Sequence, residues 1–305
     1  MRGATYNQLM IFQAIVEESS IRGAARKLEI SPPSASKALK SLEKNLGLPL
    51  FNRTTRSMEL TEAGQLLYEN TTTAVSSLNA AMESVHDLST DPKGSVRITL
   101  PKFVYQWLLE PIYADFCRQY PEINLEVSIS DATVDLISEG LDLGIRFGHK
   151  VQEGMIARQL TAPIKEALFA SDDYLQNYGI PKSLSDLSNH RQIQYRFIAS
   201  NKIAPLTLED NGSQIEIEMR SALIVNDTDM MVDAAKKGLG IGRIALPIVE
   251  HKLQNGTLTP VLEEYWETYP GLYLYFPQNS QKARRVRVLI DFLVERISSY
   301  NGAYE

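Results

Sequence analysis

Lys37, Lys40 and Lys44 recur at spacings of three and four, Pro33 begins the same row, and Ser34, Ser36 and Ser41 stand on its flanks. On a helix of about 3.6 residues per turn, these positions share one face. Ammonium groups and small hydroxyls on one surface can approach a polyanion closely and donate hydrogen bonds to phosphates or base edges. The opposite face is apolar at the same spacings, with Ala35, Leu39, Leu42 and Leu46. Both ends are marked. Ser31 suits an N-cap, Pro32 the first helical position, and Gly47 the left-handed residue that stops a helix. Taken alone, such a helix also fits a solvated basic face.

The neighbouring elements favour the polyanion. Leu9, Phe12, Ile15 and Val16 make the apolar stripe of a helix predicted over 7–18, and Ser19 or Ser20 can cap a second helix that buries Ile21, Ala24, Ala25 and Leu28. The connector 29–31 is the tight turn of a helix-turn-helix, so the lysine-bearing helix is the second of the pair, the one that enters the major groove. Segments 48–53 and 57–60 read as two short strands around a tip, a wing carrying Arg53 and Arg56. Those arginines can reach the backbone or minor groove, or stand as ordinary exposed charges. Thr61 can cap a long helix from 62 to about 89, ~40 Å in length. Along it Leu67, Thr71, Ala74, Leu78, Ala81, Val85 and Leu88 form a heptad-like seam that needs a partner. The economical partner is a second copy, which predicts a homodimer with Leu67, Ala74, Leu78, Ala81 and Val85 at its interface.

The chain has 305 residues and a net charge of −6, which argues against nucleic acid until the charge is divided by segment. Residues 1–60 hold nine Lys/Arg against five Asp/Glu, and the rest holds 22 against 32, so a basic head stands on an acidic body. Cys117, the single cysteine, excludes an intramolecular disulfide and a Cys-based zinc site. No apolar run has membrane-spanning length and the N-terminus begins no signal peptide, so the expectation is a cytoplasmic protein without a membrane partner.

Beyond a linker at 90–95 the pattern alternates. Strands are predicted over 96–100, 123–129 and 141–146 and helices over 105–120 and 133–139, an order that implies a parallel sheet covered by helices. A second unit starts near Pro163, with strands over 166–170 and near Ile193, Leu206, Ile215 and Ile241, and helices over 173–178 and 229–237. A strand at 272–276 and a helix at 280–299 return to the first unit. Two lobes joined by two crossings leave a cleft, and open α/β sheets bind ligands at the C-terminal ends of strands. The candidates there are Pro101, Lys102 and Phe103; Asp131, Ala132 and Thr133; Arg146 and Phe147; Tyr195, Arg196 and Phe197; and Asn226, Asp227 and Thr228. Lys102, Arg146 and Arg196 could clamp a carboxylate, or could be surface charges paired with the acidic body. His86, His149, His190 and His251 lack metal-ligand spacing, so no metal or cofactor is expected. Gly238, Gly240 and Gly242 close a helix rather than follow a strand, and no nucleophile elbow is visible, so an enzyme is unsupported.

These residues also carry a family resemblance. Phe12, Ala24-Ala25-Arg26-Lys27-Leu28, Ser31 with Ser36, Leu42-Glu43, Leu46-Gly47, Leu50-Phe51-Asn52-Arg53 and Leu60-Thr61-Glu62-Ala63-Gly64 together resemble the N-terminal signature of LysR-type transcriptional regulators. The resemblance continues at Tyr120-Pro121-Glu122-Ile123, through 135–148, and from Gly238 to Pro247, and covers essentially the whole chain. Asp142-Leu143-Gly144-Ile145-Arg146-Phe147-Gly148 resembles one large branch of that family. At 32–35 the chain has Pro-Pro-Ser-Ala where the family more often has Gln-Pro-Ala-Val, so Pro32 replaces an amide side chain.

The resemblance implies an α-helical winged helix-turn-helix head with a long linker helix and an α/β two-lobed effector domain like a periplasmic binding protein. The boundaries are then 1–60 for the head, 61–92 for the dimerisation helix and hinge, and 93–305 for effector binding, with lobe I over 93–162 and 266–305 and lobe II over 163–265. Such proteins bind inverted repeats in double-stranded DNA as dimers or tetramers and respond to a small-molecule effector. An anionic effector and RNA polymerase are further partners left open. The DNA contacts expected are Ser31, Pro33, Ser34, Ser36, Lys37, Lys40, Ser41, Lys44, Arg53 and Arg56, with Ser34, Ser36 and Lys37 nearest the bases and Lys40 and Arg53 on phosphates. The effector contacts expected are Pro101, Lys102, Phe103, Thr133, Arg146, Phe147, Tyr195, Arg196, Asn226 and Thr228. The rival reading is a small-molecule-binding or catalytic α/β protein that uses its helix-turn-helix to dock another protein. Steep salt dependence of binding would separate the two.

Overall fold

The structure, a computed structural model, describes residues 3–53, 58–86, 91–132, 134–151 and 153–301, with some side chains, Arg53, Ala81 and Val85 among them, outside the description. The chain divides into two units, Met1–Ser89 and Thr90–Glu305. In the first, α1 (Gly3–Glu17), α2 (Ile21–Lys27) and α3 (Pro32–Leu46) precede a two-stranded wing, β1 (Phe51–Arg53) antiparallel to β2 (Met58–Leu60), and then α4 (Glu62–His86).

Local chemistry sets each boundary. Ser20 Oγ accepts the Gly23 N–H at 3.0 Å and Ser31 Oγ accepts the Ser34 N–H at 3.3 Å, capping α2 and α3. Pro32 opens α3, and Gly47 closes it in the left-handed region at φ 73°. Between α2 and α3, Glu29 turns the chain at φ 53°. Phe12, Ile15, Ala24, Ala25, Ala35, Leu39 and Leu42 close one core, where the alanines let α2 approach its neighbours. Each large side chain so buried contributes about 1.5–3 kcal/mol. The predicted stripe of α3 stops one turn early: Leu46 is 47% exposed, because the last turn runs past that core. The head's core also extends past residue 60. Leu67 and Tyr68 of α4 pack on it, and Gln13 Nε2 donates to Thr71 Oγ1 at 3.2 Å.

The second unit holds two cores. Around the first run β3 (Gly94–Leu100), α5 (Lys102–Val104), which continues as a π-helical turn over Tyr105–Leu109, α6 (Tyr113–Gln119), β4 (Ile123–Ile129), β5 (Leu143–Phe147) and β6 (Ile156–Gln159). The chain then crosses to the second core through β7 (Ile164–Ala170), α7 (Asp172–Tyr178), β8 (Arg191–Tyr195), β9 (Leu206–Asp210), β10 (Ser213–Ile217) and β11 (Arg220–Val225). That core is completed by α8 (Thr228–Lys236), β12 (Gly242–Ala245), α9 (Leu246–Gln254), β13 (Thr259–Pro260) and β14 (Thr268–Tyr269). Finally β15 (Leu272–Phe276) and α10 (Arg284–Asn301) return to the first core.

Two expectations are corrected. The first sheet has the order β4-β3-β5-β15-β6 and is mixed rather than parallel: β3 runs parallel to β4 and β5, whereas the returning β15 runs antiparallel to β5 and β6. The sheet around β7 is antiparallel to its partners β12, β13 and β14. The helix predicted over 133–139 is a turn instead. Asp135 Oδ1 accepts the Ile137 and Ser138 N–H groups at 2.9 and 3.2 Å, and Gly140 then reverses the chain at φ 62°. Thr133 lies outside the described residues.

Candidate nucleic-acid interface and ligand site

The capping of α3 and burial of Ala35, Leu39 and Leu42 fix which way its other face points. Ser31, Pro33, Ser34, Lys37, Lys40 and Lys44 are exposed, and Ser36 and Ser41 are half-buried. Among the described residues none of the three lysines is in a salt bridge. Several hydroxyls have other work. Ser31 Oγ caps the helix and lies 2.8 Å from Ser34 Oγ. Ser41 Oγ accepts from Gln8 Nε2 of α1 at 3.0 Å, and Gln8 Oε1 accepts from Asn45 at 3.4 Å, so Ser41 helps fasten α3 to α1. Arg53 stands at the end of β1, with its side chain outside the description, and Arg56 lies outside the described residues. The assembled face therefore offers three ammonium groups, an exposed serine pair and the half-buried Ser36.

The sequence places a possible clamp of Lys102, Arg146 and Arg196 in the second unit, and the structure does not assemble it. Arg146 is 5% exposed. Its Nη2 donates to the Ser130 and Ala132 carbonyls, both at 3.1 Å, and to Thr99 Oγ1 at 3.3 Å, so it fastens the loop after β4 rather than facing a ligand. Burial lowers its pKa from the usual arginine value. Arg196 Nη1 donates to the Asn201 carbonyl at 2.6 Å, within its own loop. Phe103 stacks on Phe147 with centroids 5.5 Å apart, and Phe147 meets Tyr269 at 5.5 Å, so both aromatics are used in packing. Pro101 is buried as the residue before α5.

What does assemble is a polar bridge between the two cores. Lys102 Nζ lies 2.6 Å from Asp227 Oδ2 and 2.7 Å from Asp229 Oδ2. Gln106 Nε2 donates to the same Asp229 at 3.1 Å, and the Tyr195 hydroxyl donates to Asp131 Oδ2 at 3.1 Å. The two aspartates raise the Lys102 pKa, and Lys102 lowers theirs. Burial, reinforced by Asp131, raises Tyr195. Asp227 Oδ1 also accepts the Met230 N–H at 2.9 Å and so caps α8. Thr228 Oγ1 is buried there without a hydrogen-bond partner, while Asn226 is exposed. Asp229 and Gln106 escaped the sequence reading, although Gln106 stands one helical turn after Lys102. Among the described residues no group of three His, Cys, Asp or Glu could hold a metal ion.

Comparison with known proteins bears on both units. Residues 6–65 match the family model described as bacterial regulatory helix-turn-helix protein, lysR family, and residues 89–298 match the LysR substrate binding domain. The chain is 31% identical over 295 residues to the HTH-type transcriptional regulator PgrR of Escherichia coli, covering 97% of each. It is similar to the solved structure of CrgA, a LysR-type transcriptional regulator from Neisseria meningitidis, with TM-score 0.59, 27% identity and coverage of 95% and 98%. It shares the fold of full-length AphB, the Vibrio cholerae virulence activator, with TM-score 0.63, 24% identity and coverage of 95% and 98%.

Proposed function

The chain belongs to the LysR family of transcriptional regulators, and from that premise we propose that it reads an inverted repeat in promoter DNA as a homo-oligomer. One observation carries this reading: α3 buries Ala35, Leu39 and Leu42 and turns Ser34, Lys37, Lys40 and Lys44 outward. Seated in the major groove, that face puts Ser34, Ser36 and Lys37 toward base edges and Lys40 and Lys44 toward phosphates, with Arg53 and Arg56 of the wing on the flanking backbone. Copies pair through the exposed part of α4, around Ala74 and Leu78; Ala81 and Val85 belong to this pairing by their heptad spacing in the sequence alone. We also assign the chain to one large branch of the family, on the resemblance of Asp142–Gly148 to that branch's motif, and a cytoplasmic setting fits a regulator of this kind.

The effector site of this reading is the bridge around Lys102, Tyr195, Asp227 and Asp229. A ligand entering between the two cores must part Lys102 from its aspartates, and an anionic group does so by replacing them. Lys102 with the Tyr195 hydroxyl then takes the place of the three-cation clamp.

The test is selection of bound sequences from random duplex DNA by the purified protein and by a Lys37→Ala/Lys40→Ala variant. The wild type should enrich an inverted repeat that the variant does not. On the selected site, Lys40→Ala alone should lower the slope of log affinity against log salt by ~1. Enrichment of the same repeat by both proteins would remove α3 from the interface.

A further inference from the structure

Where the wing begins, three elements converge on one residue. Leu50 is 1% exposed. Its N–H donates to Glu43 Oε1 of α3 at 3.0 Å, and its carbonyl accepts the Thr61 N–H at 3.0 Å just before α4. The Thr61 hydroxyl donates to the Pro49 carbonyl at 2.7 Å and accepts the Gly64 N–H at 3.1 Å. Gly64 lies so close that a Cβ there would stand 2.1 Å from the Leu50 oxygen. Its glycine is therefore required by space. The angle between the reading helix and α4 is held on the α3 side by the Glu43 carboxylate on the Leu50 N–H, and on the α4 side by the Thr61–Leu50 backbone bond and the close Gly64 contact, directional links with less play than apolar packing alone.

This joint matters because of what α4 carries. Leu78 and Met82 are 46% and 65% exposed on α4, beyond the part that packs on the head. If two copies pair there, the separation and rotation of their reading helices are set by that pairing and by two copies of the joint. Each added base pair moves a half-site by about 3.4 Å along the duplex and about a tenth of a turn around it. A stiff joint rejects the wrong spacing, and a loose one accepts several.

We propose that Glu43 and Gly64 are positioning residues that set the spacing between operator half-sites, by locking α4 to the reading helix through Leu50. This rests on the dimeric DNA-binding reading above. Neither residue belongs to the DNA-facing set, so the bases recognised within each half-site are read independently of the joint.

The experiment is selection from random duplex DNA with the full chain, scoring separately the half-site bases and the distance between half-sites, for wild type, Glu43→Ala, Glu43→Gln and Gly64→Ala. The wild type should give one spacing. Glu43→Ala and Gly64→Ala should keep the half-site bases and lose the single-spacing peak. On synthetic operators, Glu43→Ala should reduce the preference for the native spacing over a one-base-pair change by about tenfold. Glu43→Gln keeps an oxygen that can accept the Leu50 N–H and should keep the single spacing. Should Gly64→Ala fail to fold by circular dichroism, the two Glu43 variants decide. A folded Glu43→Ala protein with wild-type spacing would overturn the proposal, as would one that loses the half-site bases together with the spacing. A wild type that enriches lone half-sites would show instead that the dimeric reading had failed, and the proposal with it.

Discussion

Glu267 is 7% exposed, and one of its oxygens is poorly provided for. Oε1 accepts from Gln214 Nε2 at 2.7 Å, whereas Oε2 is buried without a hydrogen-bond partner. Nearby, Arg243 Nη1 lies 3.1 Å from Glu166 Oε2, to which the Tyr269 hydroxyl also donates at 3.1 Å. Burial raises the Glu267 pKa from its usual value; the charges of Glu166 and Glu209 add to this, while Tyr269 and Arg243 oppose it. A carboxyl whose folded pKa is raised binds its proton more tightly in the folded state, so stability falls as pH rises from about 4.5 through the folded pKa and stays lower above it. Glu267→Gln should remove that fall, making the variant more stable than wild type at pH 8 and similar to it at and below about pH 4.5. Urea unfolding at several pH values reads this directly, and parallel pH profiles for the two proteins would refute it. The same scale shows what residue type conceals. Arg146 and Lys102 were legible as cations at strand ends, but an arginine that fastens backbone carbonyls and a lysine already held by Asp227 and Asp229 look no different in sequence from ligand contacts. Their partners lie far along the chain, and local spacing carries no information about them.

At the scale of elements, the informative signals were those with a local mechanism. Ser31, Pro32 and Gly47 marked α3 because a cap, a first-turn proline and a left-handed stop each act within a few residues. Removing these signals should have matching costs. Ser31→Ala loses the cap on the Ser34 N–H, about 1 kcal/mol, and Gly47→Ala forces a side chain into φ 73°, about 1 kcal/mol. Both should appear as lower midpoints in denaturant unfolding and as weaker operator binding, whereas Lys44→Ala should leave the midpoint nearly unchanged; a Gly47→Ala midpoint equal to wild type would mean that α3 frays before Gly47. The element that failed, the helix predicted at 133–139, failed for the same kind of reason. Asp135 turns its carboxylate onto the next N–H groups, and one turn forms where periodicity alone suggests two. The alternation of strands and helices showed an α/β body, but not that β15 would come back antiparallel, since strand direction depends on the crossing between cores.

At the scale of the whole molecule, the division of charge was legible early, because nine Lys/Arg in the first sixty residues outnumber five Asp/Glu while the rest of the chain is acidic. The seam of α4 was legible only in part. Periodicity grouped Leu67 with Leu78, whereas Leu67 packs on the head's core and Leu78 is exposed in the single chain. A helix does not announce where one partner ends and the next begins. Among the described residues of α4 beyond the head, the exposed apolar side chains Leu78 and Met82 are one turn apart, and covering such a side chain fully is worth about 1.5–3 kcal/mol. Two copies meeting there would cover two of each. Leu78→Glu should then place a carboxylate from each copy at the shared surface and weaken association by at least about a hundredfold, close to 3 kcal/mol, while leaving the monomer's midpoint nearly unchanged because Leu78 is not among the described residues packed on the head's core. Sedimentation equilibrium over a range of concentrations measures this. The DNA readout should follow: with association lost, the variant binds a single half-site as wild type does but loses the added affinity of two linked half-sites, which is an effect of effective concentration rather than of any base contact. If Leu78→Glu sediments as the wild type does, α4 is not the surface through which copies pair.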